Sequence, residues 1–307
     1  MKDHPIKYIK SFGFKLWITQ INILILNKIN VFKSFKSKLS VSKNKQIKKY
    51  LEKKYSYVIK NYKNYNSKET PQSNNIWIFW WQGIDCAPEI VKNCINSIKK
   101  YLPNYNIVII TKDNVNKYYQ IPDFIKNKLE NKELTFTTFS DILRMNLLKT
   151  YGGFWMDATI YLTDDPFKEI DKNDFYTIKF HTDEKTSISK GKWCGFFIGG
   201  NNQIFYEFMA EFFNEYFKKE KLLIDYFLID YTVNIAYNNI ETIKNKFDHV
   251  KYNNEQIHKL QSLLNNKFND SEYKALLKTN CVHKLSFKTH IEEKENFYTK
   301  IIKQAPN

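Results

Sequence analysis

The chain has 307 residues, of which 43% are hydrophobic and 17% aromatic, and its formal net charge is +16. That length and composition predict a globular protein large enough for one or two domains. The positive charge suits an anionic partner, but nearly all of it is lysine, and Arg144 is the only arginine in the sequence. Because proteins that read nucleic acid commonly use arginine for paired hydrogen bonds to the bases, the composition argues against a nucleic-acid partner.

Residues 1–70 are predicted to form a basic helical extension. Residues 16–31 are apolar with interspersed Asn and Lys, and residues 33–63 are strongly basic with several tyrosines. A basic amphipathic segment of this kind can lie on an anionic membrane surface as a peripheral contact. Alternatively, it can pack on the following domain with its lysines in solvent, and the sequence leaves both interpretations open. Residues 64–75, NYNSKETPQSNN, read as a linker to a domain that spans residues 71–307.

No membrane span or signal peptide is predicted. The apolar run from Leu16 to Leu26 lacks a small-residue cleavage site and is too short and too polar to cross a bilayer. The sequence has four cysteines without metal-ligand spacing, and we expect free thiols, as in a reducing compartment: Cys86, Cys94, Cys194 and Cys281. We therefore expect a cytoplasmic protein, which would lie at the inner face of the cell membrane if the extension docks there.

From Ile76 onward, strand and helix patterns alternate. Strands are predicted at residues 76–80 and 107–110, with an amphipathic helix at 88–101 between them. This order predicts an α/β fold with a mainly parallel sheet and helices on both faces. Ligands of such sheets bind at the carboxyl ends of the strands. One edge of the sheet is accordingly expected to carry Trp81, Gln82, Thr111, Lys112 and Asp157.

The stretch from Phe139 to Leu162 is the most informative in the chain. It predicts a helix with Ser140 and Asp141 in its cap and first turn, ended by the glycines at 152 and 153. A buried strand follows at 154–156 and resumes at 160–162. Asp157 interrupts this strand with a charge that a buried position does not tolerate without a partner. We interpret Asp157 as a functional carboxylate, and a turn-capping aspartate is the alternative.

Shorter patterns complete the domain. Strands are expected at 175–180 and 195–198, and helices rich in Phe and Tyr at 203–219 and 222–237. The charged tail after Thr289 is expected to be peripheral.

The sequence FSDILRMNLLKTYGGFWMDATIYL at 139–162 resembles the DXD-containing sugar transferases. Their pattern is S-D-x-x-R, then L-L, Y-G-G, an apolar pair and D-x-D. Within that group it is most similar to the capsular polysaccharide synthesis family, in which the second Asp of the triplet is commonly replaced, as in Asp157-Ala158-Thr159 here. Further matches extend the resemblance in order over about residues 75–288: Trp80-Trp81-Gln82-Gly83, Pro88-Glu89-Ile90, Asp225-Tyr226-Phe227-Leu228-Ile229-Asp230 and His283-Lys284-Leu285.

The resemblance implies a glycosyltransferase A type fold, with a mainly parallel sheet flanked by helices. It also implies a nucleotide-sugar-dependent glycosyltransferase in bacterial capsular or surface polysaccharide biosynthesis. Its partners would be a nucleotide-sugar donor and a glycan or lipid-linked glycan acceptor. The alternatives are a catalytically silent polysaccharide-assembly subunit and a basic protein that binds membranes or nucleic acid.

The same resemblance assigns the donor contacts. Asp141, Arg144 and Asp157 would hold the donor, since the planar fork of Arg suits a sugar or a diphosphate. Trp81 and Gln82, with Gly83 beside them, would flank the donor base. Lys284 would contact the phosphate. Simpler structural roles are an intrahelical ion pair for Asp141 and Arg144 and core packing for the tryptophans.

A divalent metal, Mn²⁺ or Mg²⁺, is a further implication, with Asp157 and His283 as its ligands. Thr159 replaces the second Asp of the triplet, and a hydroxyl is a poorer ligand for such cations, so the metal requirement stays open. Asp225 and Asp230 lie five positions apart, and Asp230 is retained as a catalytic candidate that faces the acceptor.

Overall fold

The computed structural model describes residues 5–29, 33–168, 170, 174–292 and 294–303. It is an α/β fold preceded by a helical extension. The α-helices of the described residues are α1 Pro5–Phe12, α2 Phe14–Ile29, α3 Lys33–Lys54, α4 Ser56–Tyr62, α5 Glu89–Tyr101, α6 Val115–Tyr118, α7 Asp123–Glu130, α8 Phe136–Tyr151, α9 Gln203–Lys219, α10 Leu228–Asn239, α11 Glu241–His249, α12 Lys259–Leu263 and α13 Asp270–Leu277. The strands are β1 Asn75–Phe79, β2 Asn106–Ile110, β3 Phe154–Met156, β4 Ile160–Leu162, β5 Tyr176–Thr177, β6 Phe197–Gly199 and β7 Val282–Lys284.

The main sheet confirms the predicted mainly parallel arrangement. Its strand order in the described residues is β2-β1-β3-β6-β5. β1 pairs in parallel with both β2 and β3, whereas β6 is antiparallel to β3 and to β5. It follows that β2, β1, β3 and β5 all point the same way. Helices cover both faces, with α8 and α9 in one apolar cluster and α5 in the other.

The chain between β3 and β4 departs from the prediction of one interrupted strand. After Met156 it leaves the main sheet, and β4 pairs instead with β7 in an antiparallel ladder, with Ile160 opposite Lys284. The reason is a tight turn at Asp157. Its backbone N–H donates to Phe196 O at 2.9 Å, and its carbonyl accepts from the N–H of Ile160 at 2.9 Å. The turn brings β7, from near the end of the chain, beside Asp157.

Helix α8 begins one turn earlier than the sequence pattern suggested. Thr135 is the N-cap, because its hydroxyl accepts the N–H of Thr138 at 3.2 Å. The Ser140 hydroxyl donates to Thr137 O within the helix, so Ser140 does not cap it, and Asp141 lies in the second turn. The predicted end is confirmed, since Gly152 adopts a φ of 65° that favours glycine.

The N-terminal extension packs on the α/β domain. Leu51, Tyr55 and Val58 are fully buried in the apolar cluster that also contains the inner faces of α8 and α9. The ring of Tyr55 lies 5.0 Å from that of Phe212, centroid to centroid. The packing interpretation of residues 1–70 is therefore correct for these positions. Within the described ranges, none of the helices combines the length and hydrophobicity needed to cross a membrane.

Candidate active site

A cleft of about 580 Å³ opens at the carboxyl ends of β1 and β3. This is the edge at which the strand pattern placed a ligand. Trp81, Gln82 and Asp157 line the cleft, as predicted. Thr111 and Lys112, also expected at this edge, do not line it. The backbone N–H of Lys112 donates to Trp81 O at 3.0 Å and joins the loop after β1 to the loop after β2. Other side chains that line it are Trp80, Phe136, Ser140, Trp155, Thr159, Tyr226, Lys284 and Phe287.

Arg144 joins two carboxylates beneath the floor of this cleft. Its Nη1 donates to Asp141 Oδ1 at 2.8 Å, and its Nη2 donates to Asp157 Oδ1 at 3.3 Å. The first bond is the predicted pair within α8, and the second connects α8 to the turn after β3. Only 5% of the Arg144 side chain is exposed, compared with 30% of the Asp157 side chain. Asp157 therefore presents the charge to the cleft, and Arg144 orients it from below.

Trp155 and Gly195 hold the guanidinium in place. The ring of Trp155 lies under it, 4.8 Å from ring centroid to guanidinium carbon, and its Nε1–H donates to Asp157 Oδ1 at 2.9 Å. On another side, a Cβ at Gly195 would come within 3.2 Å of Arg144 Nη1. A side chain there would push against the guanidinium. Neither residue was among the sequence-predicted site residues, although the position of Trp155 two residues before Asp157 was a usable signal.

Lys284 supplies a second cation at Asp157. Its Nζ donates to Asp157 Oδ2 at 2.7 Å and to Thr159 Oγ1 at 2.7 Å. The backbone fixes this position, because β7 pairs with β4 and the Lys284 N–H donates to Ile257 O at 2.9 Å. The ammonium also lies 5.2 Å from the centroid of the Phe196 ring. The structure thus brings Lys284 and Arg144 together at Asp157, and the phosphate contact of Lys284 stays a prediction.

The carboxylates of the site differ in protonation. Burial acts to raise the pKa of Asp157, but Lys284 and Arg144 outweigh it and hold that pKa below the ordinary value. Burial raises the pKa of Asp141 to about 7 in spite of the opposing effect of Arg144. It also raises the pKa of Asp230 to about 6, although the Trp193 indole N–H stabilises the charged form. At neutral pH the carboxylate that faces the cleft is ionised, and Asp141 titrates.

His283 does not reach Asp157. Its ring is fully buried, and its Nε2 lies 3.2 Å from Thr163 Oγ1. Successive residues of a strand point to opposite faces, so β7 directs Lys284 toward Asp157 and His283 away from it. Burial lowers the pKa of His283 to about 4, which keeps the ring neutral. The strand that contains His283 does lie beside Asp157, but Lys284, the next residue along it, makes the contact.

The residues around Asp157 do not fit a divalent metal. Both carboxylate oxygens already accept hydrogen bonds, Oδ1 from Arg144 and Trp155 and Oδ2 from Lys284. Cations such as Mg²⁺ and Mn²⁺ prefer several carboxylate or carbonyl oxygens, whereas the neighbours here are two cations and one hydroxyl. Among the described residues, no group of three or more His, Cys, Asp or Glu is arranged to hold a metal ion.

Aromatic side chains form the walls of the cleft. Trp81 stacks on Phe136 with ring centroids 5.0 Å apart and planes at 28°, and Trp80 meets Phe287 edge to face at 5.3 Å. Tyr226 also lines the cleft and is 63% exposed. Trp77, in contrast, is 1% exposed and belongs to the apolar core. Gln82 contributes to the lining and Gly83, with φ of 86°, turns the chain after β1.

The two acidic residues of the 225–230 segment have different roles. Asp225 pairs with Lys43 of the extension, with Nζ and Oδ2 2.8 Å apart, and accepts the N–H of Phe227 at 3.0 Å. Asp230 accepts the Trp193 indole N–H at 3.0 Å, close enough to Arg144 for their charges to interact. Asp225 is therefore a structural anchor for the loop that carries Tyr226. Asp230 does not line the cleft, and its role as a catalytic residue facing the acceptor stays a prediction.

A second cleft, of about 610 Å³, lies among α4, α7, α8 and α9. Its charged lining consists of Glu207, Glu211 and Lys149. Two carboxylates against one lysine make it a poor site for an anionic phosphate group. Of these two clefts, the one at Asp157 has two cations that meet at a single carboxylate.

Comparisons with known proteins identify the family of the chain. A region of 97 residues is 27% identical to the O-glycosyltransferase braB of Annulohypoxylon truncatum, and it spans 29% of this chain and 23% of that protein. The solved PaToxG glycosyltransferase covers 80% of this chain and 95% of its own, at 14% identity and a TM-score of 0.38. The model of the capsular polysaccharide synthesis proteins matches residues 27–303. With a match over nearly the whole chain, this protein belongs to the capsular polysaccharide synthesis family.

Proposed function

We propose that the chain is a glycosyltransferase that uses a nucleotide-sugar donor, with the donor diphosphate bound at Lys284 beside Asp157. The observation that carries the proposal is the convergence of Lys284 and Arg144 on one carboxylate at the floor of an aromatic cleft. In glycosyl transfer the bond from the anomeric carbon to the diphosphate oxygen breaks and a bond to an acceptor oxygen forms. The departing diphosphate gains negative charge, and a fixed cation at that position stabilises it.

Asp157 is proposed to contact the donor directly. Three protein donors use its carboxylate, which has about four acceptor positions, so a sugar or ribose hydroxyl can still donate to it. Asp141 and Arg144 are proposed to act through Asp157. The family resemblance implied that both residues contact the donor. Because the Arg144 side chain is only 5% exposed, we propose instead that they position Asp157.

The aromatic walls suit the remaining parts of two substrates. Flat aromatic faces stack on nucleobases and on the apolar faces of sugars, and the stacked pair of Trp81 and Phe136 offers such a face beside Gln82. We assign this wall to the donor base. The exposed rings of Tyr226 and Phe287 are assigned to the acceptor, a glycan or lipid-linked glycan. Family membership supports a place in bacterial capsular or surface polysaccharide assembly.

A peripheral membrane contact belongs to the same proposal. Ile25, near the end of α2, is 49% exposed, and Phe35, near the start of α3, is 54% exposed. Lys28 and Lys33 are close to them in sequence. Exposed apolar side chains flanked by lysines suit the interface of an anionic membrane. A lipid-linked acceptor would be presented at that surface. We place the protein at the inner face of the cell membrane on this basis.

The experiment is a screen of the full chain for release of nucleotide from UDP-glucose, UDP-galactose, UDP-N-acetylglucosamine and GDP-mannose. Release of UDP or GDP from at least one of them is the expected result. Tight nucleotide binding without release, with or without added glycan acceptors, would instead identify a catalytically silent assembly subunit.

A further inference from the structure

The ammonium of Lys284 occupies the point between the first and third positions of the Asp157-Ala158-Thr159 triplet. Its Nζ is 2.7 Å from Asp157 Oδ2 and 2.7 Å from Thr159 Oγ1. In the sugar-transferase pattern, these two triplet positions are carboxylates that hold a divalent cation. In this chain a protein cation bridges both positions already.

We propose that Lys284 takes the place of the divalent cation, so that this protein transfers its sugar without a metal. The inference rests on the proposed function, because it assumes a diphosphate leaving group at Asp157. It concerns the source of the positive charge that meets that leaving group.

Thr159 fits an ammonium better than it fits a metal. A hydroxyl is a poor ligand for Mg²⁺ or Mn²⁺ but a good acceptor for an N–H donor. The Thr159 hydroxyl accepts a hydrogen bond from the Lys284 ammonium at 2.7 Å, and only 8% of the residue is exposed. Thr159 and Lys284 therefore form a hydrogen-bonded pair at the position where the D-x-D pattern has its second carboxylate.

The lysine is fixed by backbone structure on both sides. Lys284 lies opposite Ile160 in the β4–β7 ladder, and the N–H of Leu285 donates to Thr159 O at 2.9 Å. The ring of Phe196, 5.2 Å away, covers another side of the ammonium. A long side chain loses conformational freedom when it is ordered, and here the strand pairing has already restricted it. This preorganisation is what a cation that replaces a metal requires.

The carboxylate of Asp157 is already neutralised without a metal. Arg144, which also pairs with Asp141, brings a positive charge to one of its oxygens, and Lys284 brings a second positive charge to the other. A divalent cation at the same carboxylate would lie within a few ångströms of both positive groups, and repulsion would oppose its binding. When the bond from the anomeric carbon to the diphosphate oxygen breaks, that oxygen keeps the electron pair. Lys284 lies at the cleft floor to neutralise it.

The experiment measures turnover of the best nucleotide sugar and binding of UDP and GDP, each in EDTA and in Mn²⁺. For the wild-type chain we expect turnover and affinity in EDTA to equal those in Mn²⁺ within about twofold. Lys284→Ala and Lys284→Gln should lower turnover by about tenfold or more, because both remove the charge and the second keeps a hydrogen-bonding group. Lys274→Ala, which breaks the exposed pair with Asp270, is the matched control.

A double variant tests the exchange of lysine for metal. Lys284→Ala with Thr159→Asp restores two carboxylates at the triplet and removes the ammonium. We expect it to bind Mn²⁺ in the absence of donor, as seen by electron paramagnetic resonance, whereas the wild-type chain does not. Its turnover should then depend on Mn²⁺ and be lost in EDTA.

Three results would overturn the inference. Loss of wild-type turnover in EDTA, with Mn²⁺ bound in an Asp157-dependent manner, would show a metal enzyme and leave the proposed function intact. Wild-type turnover by folded Lys284→Ala and Lys284→Gln would remove the role of the ammonium. Absence of both nucleotide binding and turnover under every condition would overturn the proposed function itself, and the inference with it.

Discussion

The guanidinium of Arg144 lies over the ring of Trp155, 4.8 Å from its centroid, and that same ring donates its Nε1–H to Asp157 at 2.9 Å. One side chain therefore orients both members of the ion pair at the floor of the cleft. A cation over an aromatic face is favoured most when it is desolvated, as Arg144 is here. The single arginine of the sequence is thus held by Asp141, Asp157 and Trp155. Gly195 leaves room for it, because a side chain there would press against the guanidinium.

The first prediction concerns Arg144→Lys. The substitution keeps the charge but loses the planar fork that reaches Asp141 and Asp157 together, so turnover should fall tenfold to a hundredfold, or by about 1.5 to 3 kcal/mol. Measurement of kcat/KM for nucleotide release tests this. Because Arg144 is buried, Arg144→Ala should also lower the melting temperature, which a surface pair on a helix would not do. Activity like that of the wild type in Arg144→Lys would show that the fork is dispensable.

The second prediction concerns Asp141 and pH. Burial raises the pKa of Asp141 to about 7, so its carboxyl is neutral at pH 5.5 and ionised at pH 8.5. The added negative charge should weaken binding of the anionic nucleotide sugar by up to about tenfold across that range. Calorimetric dissociation constants at the two pH values measure the effect. Asp141→Asn should remove the dependence, and a dependence unchanged in that variant would assign it to another group such as Asp230.

The same pKa shift affects stability with a definite sign. A carboxyl whose pKa is raised on folding stabilises the protein below its ordinary pKa, near 4, and that contribution is lost as the pH rises through about 7. The free energy of unfolding of the wild-type chain should therefore fall, relative to Asp141→Asn, between these pH values. Urea unfolding of the two chains at pH 4.5 and 8 provides the comparison.

The sequence predicts the architecture and several residues that line the candidate cleft. Alternation of strand and helix predicted the mainly parallel sheet, and the charge at Asp157 in an apolar run marked the site. The motif resemblance led to Lys284. The sequence did not show that β4 leaves the main sheet to pair with β7, because that pairing joins positions far apart in the chain. The same register explains why Lys284, and not His283, lies beside Asp157.

Other site residues had no local signal. Gly195 and Phe196 stand in an ordinary apolar segment, and their contacts with Arg144 and Lys284 exist only after the turn at Asp157 has formed. The start of α8 was misjudged for a different reason. Ser140 and Asp141 are residue types that commonly cap a helix. The helix begins earlier, however, because the Thr135 hydroxyl accepts the N–H of Thr138 and caps it there.

The third prediction concerns removal of residues 1–70. The sequence alone left open whether this extension docks on a membrane or packs on the domain, but Leu51, Tyr55 and Val58 are fully buried in the apolar cluster that they share with the α/β domain. A chain that begins at Pro71 should therefore expose apolar surface and be recovered as aggregate, since three such side chains contribute several kcal/mol, at about 1.5 to 3 kcal/mol each. Size-exclusion chromatography and circular dichroism test this. A monomeric, active chain beginning at Pro71 would contradict it.

The fourth prediction concerns membrane binding. The full chain should sediment with liposomes containing anionic lipid at low salt, and binding should weaken as salt screens the lysines. Phe35→Asp places a charge on the exposed surface of α3 and should reduce binding severalfold. Leu277→Asp, at an exposed apolar position of α13, is the control. Equal binding by both variants, or none by the wild-type chain, would argue against docking through this part of the extension.

The most direct measurement is nucleotide release from the best donor by Asp157→Asn compared with Asp270→Asn. Asp157→Asn preserves shape but removes the charge that Arg144 and Lys284 meet, whereas Asp270 lies in an exposed pair on α13. We expect Asp157→Asn to lose at least about a hundredfold in kcat/KM while remaining folded, and Asp270→Asn to match the wild-type chain. Full activity in folded Asp157→Asn would contradict a glycosyl-transfer site at this carboxylate.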